Sequence, residues 1–386
     1  MSDTVRLGII GLGNMGTAHA KSIRKGAVDG LVLTAVCDDN PRRIESMTEP
    51  GDVHRFSDVE TMLESGQIDA VLVATPHYSH TPIGIAALDA GLHVLMEKPI
   101  SVHKADCEAL IAAHRDPEQV FAAMFNQRTD PRFGLLRDLL TGDELGSVQR
   151  INWVITDWFR PEVYYRSGGW RATWAGEGGG VLLNQSPHQL DLWTWLFGMP
   201  SSVRAFCGFG RYHDIEVEDE ATAYLRYANG ASGVFIGSTG EAPGVNRLDI
   251  VGDAGALCFD GERLLLTRNT PATGEYSRTT NDMFGMPAST TSDVTPDRNV
   301  NQHAEVLANF AAAIVRDEPL IAPASEGLHS LALANAMLLS TWESREVSFP
   351  LDAAAYQLAL DQRIAGSSLR QKSNLKANVD MSASYR

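Results

Sequence analysis

The chain has 386 residues, 44% of them hydrophobic and 21% charged, and its 32 Lys and Arg against 48 Asp and Glu leave a formal charge of −16. That length exceeds what one core sustains and predicts two domains. The acidic balance argues against nucleic acid or an anionic membrane as partner and favours a small molecule.

In chain order, MSDTVRLGII lacks the basic flank and apolar stretch of a secretory signal, and no run of about 18 apolar residues follows anywhere. The protein therefore reads as soluble and cytoplasmic. Cys37, Cys107, Cys207 and Cys258 show neither metal-ligand spacing nor disulfide-scaffold density, so they read as buried thiols, with no metal site. From residue 5 to about 125, VRLGII, LVLTAVCD, AVLVAT and HVLMEK alternate with helical periods, which predicts a parallel sheet covered by helices. HTPIGIAALDAG reads as a helix ended by Gly91. After FNQRTDP the grammar changes: VQRINWVITDW, SVRAFCGFGR, ATAYLRY and GVFIGS are strand-like. Asn229-Gly230 and Asp260-Gly261 sit where hairpin turns belong, which predicts an antiparallel sheet. RTTNDMFGMPASTTSDVTPDRNVN reads as a surface loop. HAEVLANFAAAIVRDE from His303 and EGLHSLALANAMLLSTWESR from Glu326 have helical periodicity and are expected to cover the second sheet. A possible helix and the polar tail RQKSNLKANVDMSASYR close the chain.

The segment IIGLGNMG follows an apolar strand and opens a helical pattern, so Gly11, Gly13 and Gly16 meet the dinucleotide fingerprint in its required context. The glycines permit a tight turn and close approach of backbone, and the helix start, with Asn14 and Met15, offers N–H groups to a pyrophosphate. Asp38, 22 residues after Gly16 at the end of the second strand, suits ribose hydroxyls and repels a 2′-phosphate. NAD is therefore expected over NADP, a preference that the nearby Arg42 and Arg43 soften.

ATPHYSHTPIGIAALDAGLHVLMEKPIS, with Thr75-Pro76, His80 and the strand-ending Glu97-Lys98-Pro99, resembles the Gfo/Idh/MocA oxidoreductases, the glucose-fructose oxidoreductase and inositol dehydrogenase family. NQRTDP, GGGVLLNQSPHQLDL and the last two helical patterns extend the resemblance over nearly the whole chain. It implies α/β plus α+β architecture: a Rossmann domain over 1–125, a substrate-binding and oligomerisation domain over 126–350 with a large open, mainly antiparallel sheet covered by helices on one face, and a C-terminal extension over 351–386. It places Thr75, Pro76, His80, Glu97, Lys98 and Gln127 with the glycine-rich turn at the cofactor, and Lys98, Asn184 and His188 at the reacting hydroxyl. It also implies a homodimer or homotetramer.

Oxidising a secondary alcohol needs a proton acceptor, and His188 has a suitable ordinary pKa, whereas Lys98 needs desolvation or a cationic neighbour to serve. His188 is thus the expected base, with Lys98 orienting the hydroxyl. Asn184 departs from the family's commoner aspartate and, as a neutral amide, only orients. Gln127 stands where some inositol dehydrogenases carry arginine, which counts against inositol itself. Asp191, three residues after His188, either holds its ring or is a solvated or capping carboxylate. Pro187 after Ser186 marks a helix start.

DWFRPEVYYRSGGWRATWAGEGGG brings aromatic faces and three arginines just ahead of that segment, suiting sugar C–H faces and hydroxyls or an anionic substituent. The expected substrate wall comprises Lys98, Arg128, Tyr164, Arg166, Trp170, Arg171, Trp174, Gln185 and His188. The activity expected is oxidation of a secondary hydroxyl of a sugar, glycoside or cyclitol, at C3 of a pyranose. The alternatives are a redox-neutral NAD-dependent glycosidase acting through transient C3 oxidation on a neutral or an anionic (carboxylated or sulfonated) sugar, and a non-catalytic NAD sensor.

Overall fold

Strands rich in Val, Ile and Leu form where both faces of a sheet are covered, and the first third of the chain follows that rule. A computed structural model describes residues 4–47 and 53–369. Its first elements are β1 (Val5–Ile10), α1 (Asn14–Arg24), β2 (Leu31–Cys37), α2 (Pro41–Ser46), β3 (His54–Phe56), α3 (Val59–Leu63), β4 (Ala70–Val73), α4 (His80–Asp89), β5 (His93–Met96), α5 (Lys104–Ala113) and β6 (Phe121–Ala123). These strands pair in parallel in the order β3-β2-β1-β4-β5-β6. The order reverses between β2-β1 and β4, which opens a crevice at the carboxyl ends of those strands, the place where such sheets bind ligands. As expected, Gly91 follows α4 with φ +80°.

The second part contains α6 (Pro131–Thr141), β7 (Val148–Ile155), α7 (Glu162–Arg166), α8 (Pro187–Phe197), β8 (Ser202–Phe209), β9 (Glu218–Arg226), β10 (Ser232–Ser238), β11 (Asn246–Gly252), β12 (Gly255–Phe259), β13 (Leu264–Thr270), α9 (Thr273–Thr279) and β14 (Ala288–Asp293). It ends with α10 (Gln302–Arg316), α11 (Gly327–Trp342), β15 (Val347–Ser348) and α12 (Ala353–Ile364). Nine strands pair in the order β14-β13-β12-β11-β7-β10-β9-β8-β15. All are antiparallel except β7 with β10, so the sheet is mainly antiparallel, as expected, with one parallel pair near its centre. In β9 the buried Ala221, Ala223 and Leu225 face α8 and α11, while Thr222, Tyr224 and Arg226 face outward. Gly230 and Gly261 take φ of +89° and +96° in the expected hairpin turns.

Two expectations need correction. The polar run after Arg278 is not wholly loop: Ala288–Asp293 forms the edge strand β14 on β13, with all six residues exposed. Its Ser and Thr side chains gave no apolar alternation to signal a strand. The helix at His303 does not cover the second sheet; Val306, Leu307, Phe310 and Ala311 of α10 pack with Val5, Leu7, Ile9 and Leu33 of the first. Of these two helices, α11 is the one that meets the second sheet, where Leu331 and Leu339 join Val203 and Ala205. The polar tail from Arg370 lies outside the described residues, among which no helix is long and apolar enough to cross a membrane.

Candidate active site

The turn after β1 is built for close backbone approach. Gly11 has φ +93°, and a Cβ there would lie 2.7 Å from the Ala74 carbonyl oxygen; one on Gly16 would lie 1.9 Å from Gly11 O. A Cβ on Gly13 meets no atom within 4 Å, and Gly13 caps α1 without any side-chain acceptor, so the helix N-terminus faces open space. Asp38 is buried at the end of β2, with Oδ2 accepting from Leu12 N–H at 2.7 Å and Oδ1 from Asn40 N–H at 2.9 Å. Arg43 Nη1 reaches Oδ2 at 3.3 Å, so the carboxylate steadies the turn as well as standing at the ribose position. Beside Gly11, the buried Thr75 Oγ1 has no partner among the described residues. This open, glycine-lined cradle with an unspent hydroxyl fits a dinucleotide.

The crevice continues into a cleft lined by Met15, Glu97, Lys98, Asn126, Gln127, Trp158, Arg160, Tyr164, Asn184, Gln185, His188, Gln302 and His303. Lys98 from the first sheet and His188 from α8 thus meet over the glycine-rich turn. The Lys98 ammonium donates to the Asn184 backbone carbonyl at 2.8 Å. Burial, with Arg171 and Arg160 nearby, holds it down to about 8 against the pull of Glu97. His188 is 7% exposed; burial first, then the charges of Lys98 and His303, pushes it well below its ordinary value, and its Nδ1 has no partner among the described residues. The imidazole therefore stays neutral at physiological pH, and the desolvated lysine is the group that titrates near it. That reverses the reason for choosing His188 over Lys98 as base.

The segment before α8 turns tightly: Asn184 N–H donates to Gly180 O at 2.8 Å and Ser186 N–H to Val181 O at 2.7 Å, so the helix begins at Pro187. Tyr164 O–H donates to Asn184 Oδ1 at 3.3 Å and accepts from Arg171 at 2.7 Å and Gln185 at 3.0 Å. Arg160 lies over the rings of Trp158 and Tyr164, at 5.2 and 5.3 Å.

Several expected contacts lie elsewhere. His80 is buried, its ring nitrogens on the carbonyls of Pro99 and Thr75 at 2.7 and 2.9 Å, so it holds the two strand ends together. Arg128 is not at the substrate: its Nε and Nη2 donate to Asp191 at 2.8 and 2.6 Å, and its Nη1 to Ile321 O and Glu326. Asp191 accordingly neither holds the His188 ring nor meets solvent. Arg166 is at the surface, 3.7 Å from Glu162. Trp174 is buried against Phe209 and Trp342, and the half-buried Trp170 packs edge-on to His77. Arg171 stands one layer back, between Tyr164 and Trp170.

Sequence reading missed Glu177, His303 and Gln302. His303 is held down to about 4, chiefly by burial. His19, also unforeseen, pairs with Glu97 at 2.7 Å and, despite burial, keeps that carboxyl down to about 2. The available signal for Gln302 and His303 was their place in the first turn of α10, directly after its N-cap Asn301.

Residues 5–125 match the family model of an oxidoreductase family with an NAD-binding Rossmann fold, and residues 133–258 match that of the GFO/IDH/MocA C-terminal domain. The myo-inositol 2-dehydrogenase of Thermotoga maritima is 26% identical over 352 residues, spanning 89% of this chain and 98% of the relative. The levoglucosan dehydrogenase of Pseudarthrobacter phenanthrenivorans is 27% identical over 67% of this chain and 74% of its own. The crystal structure of the WlbA dehydrogenase of Chromobacterium violaceum, in complex with NADH and UDP-GlcNAcA, superposes with a TM-score of 0.78 at 26% identity, covering 91% of this chain and 98% of that one.

Proposed function

This chain belongs to the Gfo/Idh/MocA family of NAD-dependent oxidoreductases, and on that footing we propose that it oxidises a secondary hydroxyl of a sugar, glycoside or cyclitol, at C3 of a pyranose. The observation that carries the reading is the meeting of Lys98, from the loop after β5, and His188, from α8, in one cleft above the glycine-rich turn. NAD, when bound, supplies the hydride acceptor. Gly11, Gly13, Asn14 and Gly16 hold its pyrophosphate, Asp38 its ribose, and Met15, Thr75 and Gln127 its nicotinamide end. His188 and the Asn184 amide oxygen position the hydroxyl, and Lys98, with its ammonium held near 8, accepts the proton in its neutral form. Trp158 offers a flat face to the sugar's C–H groups, while Tyr164, Gln185 and Arg160 supply polar contacts to its hydroxyls.

A second reading uses the same residues. The cleft holds two proton acceptors, neutral His188 and the readily deprotonated Lys98. One serves the hydroxyl, and the other can remove the C2 proton made acidic by a C3 ketone, after which an aglycone leaves, water adds and the ketone is reduced again. Incubation with neutral and anionic glycosides separates the two: NADH accumulating in step with a keto product supports the dehydrogenase, and aglycone release at constant NADH supports the glycosidase. The outer face of the second sheet, with Phe206 62% exposed on β8, Tyr224 on neighbouring β9 and Val251 exposed on β11, supports association of copies there. Light scattering reads a dimer or tetramer if that holds and a monomer if it does not.

A further inference from the structure

Asn184 poses a chemical problem that its neighbours solve. A side-chain amide has one donor end and one acceptor end, and only the acceptor end resembles a carboxylate oxygen. Glu177, 1% exposed between Gly176 and Gly178, settles which end faces the cleft. Its Oε1 accepts from Asn184 Nδ2, and its Oε2 accepts from Ala172 N–H at 2.7 Å. Burial pushes the Glu177 carboxyl above its ordinary value, while Arg171, the Ala172 N–H, the Asn184 amide and Lys98 all favour its ionised form, and against that form an amide turned the other way would set oxygen against an anion. With Nδ2 committed, Oδ1 faces Tyr164 O–H and the cleft.

The same carboxylate bears on charge. When a hydroxyl gives its proton to Lys98 or His188, a buried site gains a cation, which low-dielectric surroundings disfavour unless an anion is near. Glu97 is committed to His19, and Asp191 to Arg128. Around Glu177 stand Arg171, at 3.8 Å on its own segment, Lys98 and His77 from the first sheet's loops, and Tyr165 and Glu218 behind it. Its backbone carbonyl also meets His77 Nδ1 at 3.0 Å.

We propose that Glu177 is a positioning residue for the oxidation: its carboxylate fixes the Asn184 amide with oxygen toward the substrate and supplies, one hydrogen bond behind the cleft, the negative charge that balances the proton gained there. The role rests on the dehydrogenase reading above. It makes Glu177 and Asn184 a unit in which the charge can be exchanged. In the double variant Glu177→Gln with Asn184→Asp, the glutamine amide donates to the aspartate and its oxygen keeps Ala172 N–H, so every hydrogen bond survives with the anion moved forward.

The test compares wild type, both single variants and the double variant. Glu177→Gln alone sets amide against amide, and Asn184→Asp alone sets carboxylate against carboxylate; each lowers kcat about a hundredfold with NAD affinity unchanged. The double variant recovers to within about tenfold of wild type. A purely structural role would lower thermal stability and leave the kcat of folded enzyme and its pH profile as in wild type, and that result overturns the proposal, as does a double variant no better than the singles. A readout needing no turnover is the pH midpoint of Lys98 acylation by acetic anhydride, followed by peptide mass spectrometry. Glu177→Gln lowers that midpoint and the double variant restores it; an unmoved midpoint contradicts the charge role. A wild type inert toward every sugar, with the midpoint still shifting, refutes the dehydrogenase reading and leaves the Glu177 contact standing.

Discussion

Two polar clusters flank α8, and they differ in how fully their hydrogen bonds are spent. On one side Arg128 forks onto Asp191 and also reaches Ile321 O and Glu326, with its side chain 2% exposed. On the other, His188 Nδ1, Gln189 Oε1 and Asn126 Oδ1 are buried with no partner among the described residues, beside a lysine whose charge burial disfavours. A saturated cluster ties chain segments together; an under-partnered one holds capacity for a ligand. Asn126 and Arg128 lie two positions apart, and His188 and Asp191 three, yet they fall in opposite clusters, so sequence position and residue type alone do not separate scaffold from chemistry.

The contrast breaks most visibly on the under-partnered side. Lys98→Ala and His188→Ala each lower kcat by about 10³-fold or more while leaving the NAD dissociation constant and the melting temperature nearly unchanged; a variant of either kind with undiminished turnover removes that residue from the chemistry. On the saturated side, Arg128→Met leaves Asp191 buried without its cation and costs on the order of 3–5 kcal/mol in urea unfolding. Were Arg128 a substrate residue, KM would rise and stability would hold.

Glu218 sharpens the contrast, because it is a buried carboxyl without a cation. Its Oε1 accepts from Leu182 N–H at 3.0 Å, its Oε2 has no partner among the described residues, and burial pushes it up to about 7. The folded protein therefore holds this proton more tightly than the unfolded chain does. The stability it confers is complete below about pH 4.5 and is lost as pH rises through about 7. Glu218→Gln accordingly stabilises by on the order of 3 kcal/mol at pH 8 and by little at pH 4. An equal effect at both values contradicts an ionisable role. The mildest effect is kinetic: kcat/KM for oxidation climbs about tenfold per pH unit up to a bend near 8 as Lys98 deprotonates. A plateau already reached well below pH 6.5 returns the proton to His188.

What could be read from sequence was local. The glycine turn, Asp38, Glu97-Lys98 and the Asn184–His188 segment announce themselves by spacing inside one strand-turn-helix or one helix start, and all of them line or edge the crevice. What could not be read depends on partners distant along the chain. Arg128 and Asp191 are 63 residues apart, so a guanidinium beside the domain junction resembled a substrate contact until its partner was known. Trp170 and Trp174 shared the composition of a sugar platform, but Trp174 is buried against Phe209 and Trp342 and Trp170 packs edge-on to His77. Glu177 was hidden among glycines, and α10 carried an apolar stripe that suited either sheet until Val5, Leu7 and Ile9 claimed it.

The central claim is that a carbinol hydrogen leaves the substrate for the coenzyme in the cleft shared by Lys98 and His188. Its most direct test supplies a perdeuterated glycoside with unlabelled NAD and reads the coenzyme by mass spectrometry. The account predicts one deuterium on the nicotinamide ring for each ketone formed, at full rate in wild type and almost none in Lys98→Ala. Sugar consumed with the nicotinamide left unlabelled throughout would contradict it.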